Sequence, residues 1–192
     1  WQIYNFVEIK MKKLERLYKR IMRNGGFVNA HAHLDRANTV DYFPLNEQYK
    51  FLKEKWKLVD RIKRGATKES YKARIHEALD DQVRMGVSAV MSFIDIDDIV
   101  GCKAIDAAFE VKKERMDIKL LTACQTLKGV VNPEIQATIL ENIEKFDIIG
   151  SLPSTDKGLE NVHLDIVMEW AKRHEKRLHV HVDQLNTPEE RE

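Results

Sequence analysis

Phe27-Val28-Asn29-Ala30-His31-Ala32-His33-Leu34-Asp35 is the stretch on which the reading of the whole chain turns. It has the alternation of a strand: Phe27, Asn29, His31 and His33 share one face, and Val28, Ala30, Ala32 and Leu34 share the other. Two imidazoles two residues apart on one face can converge on a single ion, and neutral imidazole is a good ligand for zinc or iron. The competing reading is a pair of polar residues at a strand end, satisfied by hydrogen bonds. A second stretch of the same kind lies near the other terminus: Leu178-His179-Val180-His181-Val182-Asp183-Gln184. There His179, His181 and Asp183 share a face, with His179 one layer deeper.

The bulk numbers remove several alternatives. At 192 residues the chain can bury a sizeable core, and length suggests one domain. A net charge of +1 gives no overall pull towards nucleic acid or an anionic membrane. No apolar run is long enough to span a bilayer, and residues 10–23 are basic and amphipathic, not a signal peptide. That basic helix is read as a solvated face. Cys102 and Cys124 match neither a disulfide nor a zinc pattern, so a reducing cytoplasm is the expected compartment.

Outward from the first stretch, helices and strands alternate. A helix over 10–23 ends at Asn24-Gly25-Gly26, and a strand follows over about 27–34. Residues 36–46 form a loop containing Pro44. Helices are expected over Glu47–Lys63 and from an N-cap at Thr67, the latter with an apolar stripe of Tyr71, Ile75, Ala78, Leu79 and Val83. Further strands fall at 87–94, 118–124, 147–152 and 177–183, separated by helices over about 101–116, 133–146 and 159–175. Asp97-Asp98 reads as a helix cap. His76, His163 and His174 fall on helices and are expected at the surface. Five strands separated by helices argue for βα units and a parallel sheet. Thr187-Pro188-Glu189-Glu190 is a helix start with no helix after it, so the sequence is expected to be a fragment or to be completed by another chain.

The Phe27–Asp35 stretch resembles the first barrel strand of the amidohydrolase superfamily, with bacterial cytosine deaminase and its relatives the most similar. The likeness continues through Val87–Asp95, through Phe146-Asp147-Ile148-Ile149-Gly150-Ser151-Leu152-Pro153, and through Leu178–Gln184. It covers nearly everything after Gly25. It implies an α/β fold, a parallel (β/α) barrel of TIM type, apparently incomplete at about five of eight βα units. The expected organisation is an N-terminal helical segment over 1–25 and a partial amidohydrolase-like barrel over 26–192. Residues 1–24 do not read as the small β-domain that many family members carry.

The resemblance assigns one divalent ion, zinc or iron, to His31, His33 and His181. It matches Gln125 to a glutamine that contacts substrate. Asp35, just after the histidine pair, is expected to orient the strand end or touch substrate, and Asp183 and Gln184 are expected at the substrate and catalytic side. In the family a glutamate three residues after the fifth-strand histidine shuttles protons. Here that position is Gln184, whose amide cannot do so near neutral pH. The family also takes a histidine from a sixth strand and an aspartate from an eighth.

The expected function is metal-dependent hydrolysis of a C–N bond in a cyclic amide or aminated heterocycle, with the fragment inactive by itself. The alternative is a non-catalytic remnant or interaction protein. The expected partners are a small-molecule substrate and either a second copy or a complementing chain, with no nucleic acid and no membrane.

Overall fold

The computed structural model describes residues 2–39 and 52–182, with side chains over 11–39 and 57–182. Helix α1, Gln2–Arg23, leads into strand β1, Phe27–Ala32. Helices α2, Leu52–Gly65, and α3, Lys68–Arg84, precede β2, Val87–Asp95. Then follow α4, Lys103–Glu114, β3, Lys119–Gln125, α5, Pro133–Glu141, β4, Ile148–Ser151, α6, Glu160–Arg173, and β5, Arg177–Val180. All five strands are parallel and lie in the order β1-β2-β3-β4-β5. Among the described residues no helix is long and apolar enough to cross a membrane.

The helices start where the residues direct them. Thr67 caps α3 by accepting from the Ser70 backbone N–H, while the Ser70 hydroxyl closes the reciprocal half of the capping box. Asn132 and Pro133 open α5 in the same spirit, with Asn132 accepting from Glu134 N–H. Tyr71, Ile75, Ala78 and Leu79 of the expected α3 stripe are buried, and Val83 is partly buried against the same core.

Strand alternation divides the core into two layers. Val90, Ile94, Leu120, Cys124 and Ile149 point outward and pack with Ile75, Leu79, Ile105, Val111 and Trp170 from the helices. Met91, Phe93 and Ala123 point inward and form a smaller cluster with Leu121 and Ile148 beside it. The sheet is curled around that inner cluster. In a flat sheet β1 and β5 would stand ~19 Å apart, four strand spacings. Here the rings of His31 and His181, from those two ends, lie 5.0 Å apart between centroids. The five strands thus form a half-barrel with helices on its outer face.

Several boundaries differ from the sequence expectation. β1 ends at Ala32 because the chain turns into a 3-10 helix, Leu34–Arg36, with His33 at its entry. β5 ends at Val180, so His181 stands one residue beyond the strand and keeps its backbone bond to Ser151. The helix from Pro133 stops at Glu141. Asn142, whose side chain bonds back to the Thr138 carbonyl, closes it, and a 3-10 turn, Ile143–Lys145, completes the connection. The expected loop around Pro44, the start of the helix at Glu47, and the helix signal at Thr187 lie outside the described residues.

The largest correction concerns His163. It is not at the surface: it is 0% exposed, with Nε2 3.0 Å from Ser151 Oγ and Nδ1 2.6 Å from Asp156 Oδ2. Polar partners on both ring nitrogens let the ring be buried without leaving a donor or acceptor bare. His76 and His174 remain partly exposed, beside Glu114 and Glu144.

A second buried polar group fastens α2 to the end of β2. Lys63, with 2% of its side chain exposed, places Nζ 2.5 Å from Asp97 Oδ2 and 2.9 Å from Asp95 Oδ2. The Asp95 contact is an ion pair at too oblique an angle for a hydrogen bond. Asp97 Oδ1 also accepts from Ile99 and Val100 N–H, so it caps the turn that leads to α4.

Lys63→Met should lose about 3–5 kcal/mol in urea unfolding, because it leaves buried carboxylates unpaired. Lys68→Ala, at an exposed pair with Glu110, should lose less than about 1 kcal/mol. Equal losses would mean that burial does not separate the two pairs. Burial also lowers the pKa of His163 below the ordinary 6.5, against the pull of Asp156. The folded state therefore holds a neutral ring that the unfolded chain protonates below about 6.5, so stability falls as pH drops through that value. His33, His179 and His181 push in the same direction. The measurement is consequently the difference in slope: His163→Gln should unfold with a shallower loss of stability between pH 7.5 and 5.5 than the parent chain.

Candidate metal centre

Three histidines meet at the C-terminal ends of β1 and β5. One nitrogen from each of His31, His33 and His181 can be chosen so that all three lie within 4.8 Å of one another. His31 is exposed and the other two are half-buried, so the cluster opens to solvent on one side. Phe93 forms its floor. That ring is 0% exposed, and its centroid lies 5.0 Å from His31, 5.4 Å from His33 and 4.3 Å from His181. His179 packs beneath, 5.0 Å from Phe93 and 5.5 Å from His31. It stands one layer deeper, as alternation along β5 requires.

Gly150 makes room for the floor. A Cβ there would sit 1.8 Å from the Cys124 carbonyl oxygen and 2.8 Å from Phe93 Cε1. Glycine is therefore required by close approach of β4 to its neighbour, not by backbone angle. Behind it, burial pushes the Cys124 thiol up to about 12, so this sulfur packs as a neutral group.

His33, His181 and His179 are held towards the neutral form. Burial, then the Arg36 guanidinium, lowers the His33 pKa to about 3. Burial also lowers His181 and His179. Neutral imidazole is the form that can offer a lone pair. Two backbone and side-chain contacts orient the rings. His181 Nδ1 lies 3.2 Å from the Ser151 carbonyl oxygen, which can only accept, so Nδ1 carries the hydrogen and Nε2 the lone pair. His33 Nδ1 instead accepts from Arg36 Nη2.

Beside the histidines the strand ends are tied by charge. Asp35 is 0% exposed, and its Oδ2 accepts from Asp95 N–H at 2.8 Å while Arg74 donates to its carbonyl at 2.6 Å. Burial, reinforced by the charge of Asp95, raises the Asp35 pKa to about 7. Asp95 is lowered: burial opposes this, but Arg36 and Lys63 outweigh it. Arg36 Nε stands 3.7 Å from Asp95 Oδ2 and so bridges this carboxylate to His33.

Of the residues singled out in the sequence, His31, His33 and His181 come together. Asp35 lies next to them but faces the β2 backbone, closed to solvent. Gln125 ends β3, 3% exposed, in register with Asp95. Asp183 and Gln184 lie outside the described residues. The sequence reasoning passed over Phe93 and Arg36. Phe93 had a signal, since Met91, Phe93 and Asp95 share the inward face of β2; Arg36 had none, because its role depends on the 3-10 turn that returns it towards His33.

No protein-family model matches the chain. It is 40% identical over 179 residues to an uncharacterized protein of Haemophilus influenzae, covering 90% of this chain and 64% of that one. It is 25% identical over 171 residues to N-isopropylammelide isopropyl amidohydrolase of a Pseudomonas species, covering 84% of this chain and 42% of the relative. Among solved structures, 5-methylcytosine deaminase from Klebsiella pneumoniae liganded with 5-fluorocytosine is similar with a TM-score of 0.76 at 25% identity. That match covers 86% of this chain and 41% of the deaminase. N-isopropylammelide isopropylaminohydrolase from Burkholderia multivorans has the same fold, with a TM-score of 0.67 at 19% identity. The chain thus spans less than two thirds of each relative's length, and less than half of those with a named activity.

Proposed function

We propose a hydrolytic function from the premise that this chain carries the N-terminal part of an amidohydrolase-superfamily barrel of the cytosine deaminase kind. The reaction is hydrolysis of a C–N bond in a cyclic amide or an aminated heterocycle. One observation carries the proposal: His31, His33 and His181 converge within 4.8 Å although β1 and β5 are the two edges of the sheet. Such convergence across a whole half-barrel is costly to arrange for hydrogen bonding alone, and the donor set fits zinc or iron. When bound, the ion supplies Lewis acidity towards the scissile group and towards water.

The chain's own residues supply the rest. Phe93 closes the floor and keeps water from the underside of the ligands. Ser151 fixes the His181 lone pair. Gln125, at the end of β3, is a candidate to hydrogen-bond a substrate amide edge, and Asp183 and Gln184 are candidates for the substrate side. Gln184 can orient a substrate but cannot carry its proton. Proton transfer therefore falls to another group, which separates this chain from a deaminase that uses a glutamate there.

Metal analysis of the purified chain tests this. We expect close to one zinc or iron per chain, lost in His31→Ala and bound only weakly in His181→Ala, with the fold retained. A chain that holds no ion yet elutes as a stable dimer in light scattering would favour the alternative, an interaction protein completed by a second copy. We also expect residues 1–192 alone to show no turnover on a panel of cyclic amides and aminopyrimidines. The family takes further site groups from its sixth and eighth strands, and among the described residues no carboxylate joins the three histidines. Robust metal-dependent turnover by this chain would overturn that expectation.

A further inference from the structure

Outside the histidine cluster, the described residues contain a further chain of nucleophilic and titratable groups. Ser151 Oγ lies 3.0 Å from His163 Nε2, and His163 Nδ1 lies 2.6 Å from Asp156 Oδ2. The order is that of a serine nucleophile with its base and acid. Exposure decides against that role. Ser151 is 1% exposed and His163 0%, and the hydroxyl points from β4 towards α6, where no acyl donor can reach.

The same serine has a second connection. Its carbonyl oxygen accepts two bonds from His181, from the backbone N–H at 2.9 Å and from ring Nδ1 at 3.2 Å. Ser151 is the last residue of β4, a strand of four residues. So short an element needs external support to hold its end in place. Asp156 supplies it from the other side. Its Oδ2 also accepts from Val130 N–H at 2.7 Å, tying the group to the loop after β3. That loop approaches through Gly129, at φ +78°, where a Cβ would fall 2.1 Å from Asp156 Oδ1.

We propose that His163 is a positioning residue for the candidate metal centre: with Asp156 it clamps Ser151, so that the Ser151 carbonyl holds His181 with Nε2 free. The inference rests on the proposed metal-binding reading of His181. Hydrogen-bond polarity runs consistently along the path. The carboxylate can only accept, so His163 Nδ1 donates and Nε2 receives the Ser151 hydroxyl hydrogen. The carbonyl can only accept, so His181 Nδ1 donates. Both histidines take the same tautomer, linked through the side chain and main chain of one serine. Partners of metal ligands act in this way, and their loss typically weakens binding about 10–100-fold.

The test uses the chain as it is, with Ser151→Ala and His163→Gln. Ring 15N shifts of His181 in the metal-free chain should report the Nδ1–H tautomer, and a mixture of tautomers in both variants. Zinc affinity, measured by competition with a chromophoric chelator, should fall about 10–100-fold in each variant. That loss should disappear in a His181→Ala background, where a general loosening of the fold would still be felt. An unchanged His181 tautomer in folded Ser151→Ala would overturn the proposal. So would an affinity loss that persists without His181, or a parent chain whose His181 carries its hydrogen on Nε2. Should His163→Gln not fold, Ser151→Ala removes only one hydroxyl and keeps the carbonyl. Should the parent bind no zinc, the metal-binding reading fails by itself, and the tautomer measurement still decides the positioning role.

Discussion

The curl of the sheet around Phe93 is the constraint on which the rest depends. Without it, β1 and β5 would hold their histidines far apart, and neither stretch would mean anything to the other. Among the described residues Phe93 is the one large side chain completely buried on the inner face, and the rings of His31, His33, His179 and His181 all pack on it at 4.3–5.4 Å. Burying such a ring contributes about 1.5–3 kcal/mol from area alone, and edge-on aromatic contacts add to it. The same ring thus holds the half-barrel closed and supports the site. Gly150 is its counterpart, since any side chain there would push the ring out. Fold and candidate function share these two residues and could not be altered independently.

Charge is arranged around that floor with similar economy. Three carboxylates, Asp35, Asp95 and Asp97, are buried at the strand ends beside Lys63, Arg74 and the half-buried Arg36. Asp95 and Asp97 are the ion-paired acids. The third acid is Asp35, whose pKa is raised to about 7 by burial, reinforced by the charge of Asp95. The two acids share one buried environment, and titration belongs to the pair. The result is a strand end fixed by buried ion pairs and hydrogen bonds. It is bought with four elements, since the 3-10 turn after β1, α2, β2 and the turn before α4 each contribute a residue.

Much of this was legible in the sequence, for physical reasons that differ by element. Side-chain alternation is local, so His31 and His33, and His179 and His181, could be assigned to shared faces directly. Helix starts at Thr67 and Pro133 were legible because capping is a local exchange of hydrogen bonds. His163 was misread because helical periodicity says which face a residue takes, not whether a polar partner waits there. Its partners come from β4 and the following loop, and only the folded chain puts them beside it. Lys63 was passed over for the same reason: a lysine in a lysine-rich helix looks solvated until two carboxylates from another element reach it. The ends of β1 and β5 were placed two and three residues late because periodicity continues past the last ladder bond, through His33 and His181.

Arg36 shows how these parts constrain one another. It donates to His33 Nδ1 and stands 3.7 Å from Asp95. A neutral His33 that accepts at Nδ1 carries its hydrogen on Nε2, the reverse of His181. Consider then which nitrogen His33 could offer as a ligand. If Nδ1, Arg36 occupies it. If Nε2, the hydrogen must move to Nδ1, which Arg36 again occupies as a donor. If the three histidines share an ion, as proposed above, Arg36 must leave His33 first. The carboxylate already nearest to receive it is Asp95, whose other partner is Lys63. The buried charges at the end of β2 therefore do more than close the fold: Asp95 already stands 3.7 Å from the Arg36 guanidinium as its counter-charge.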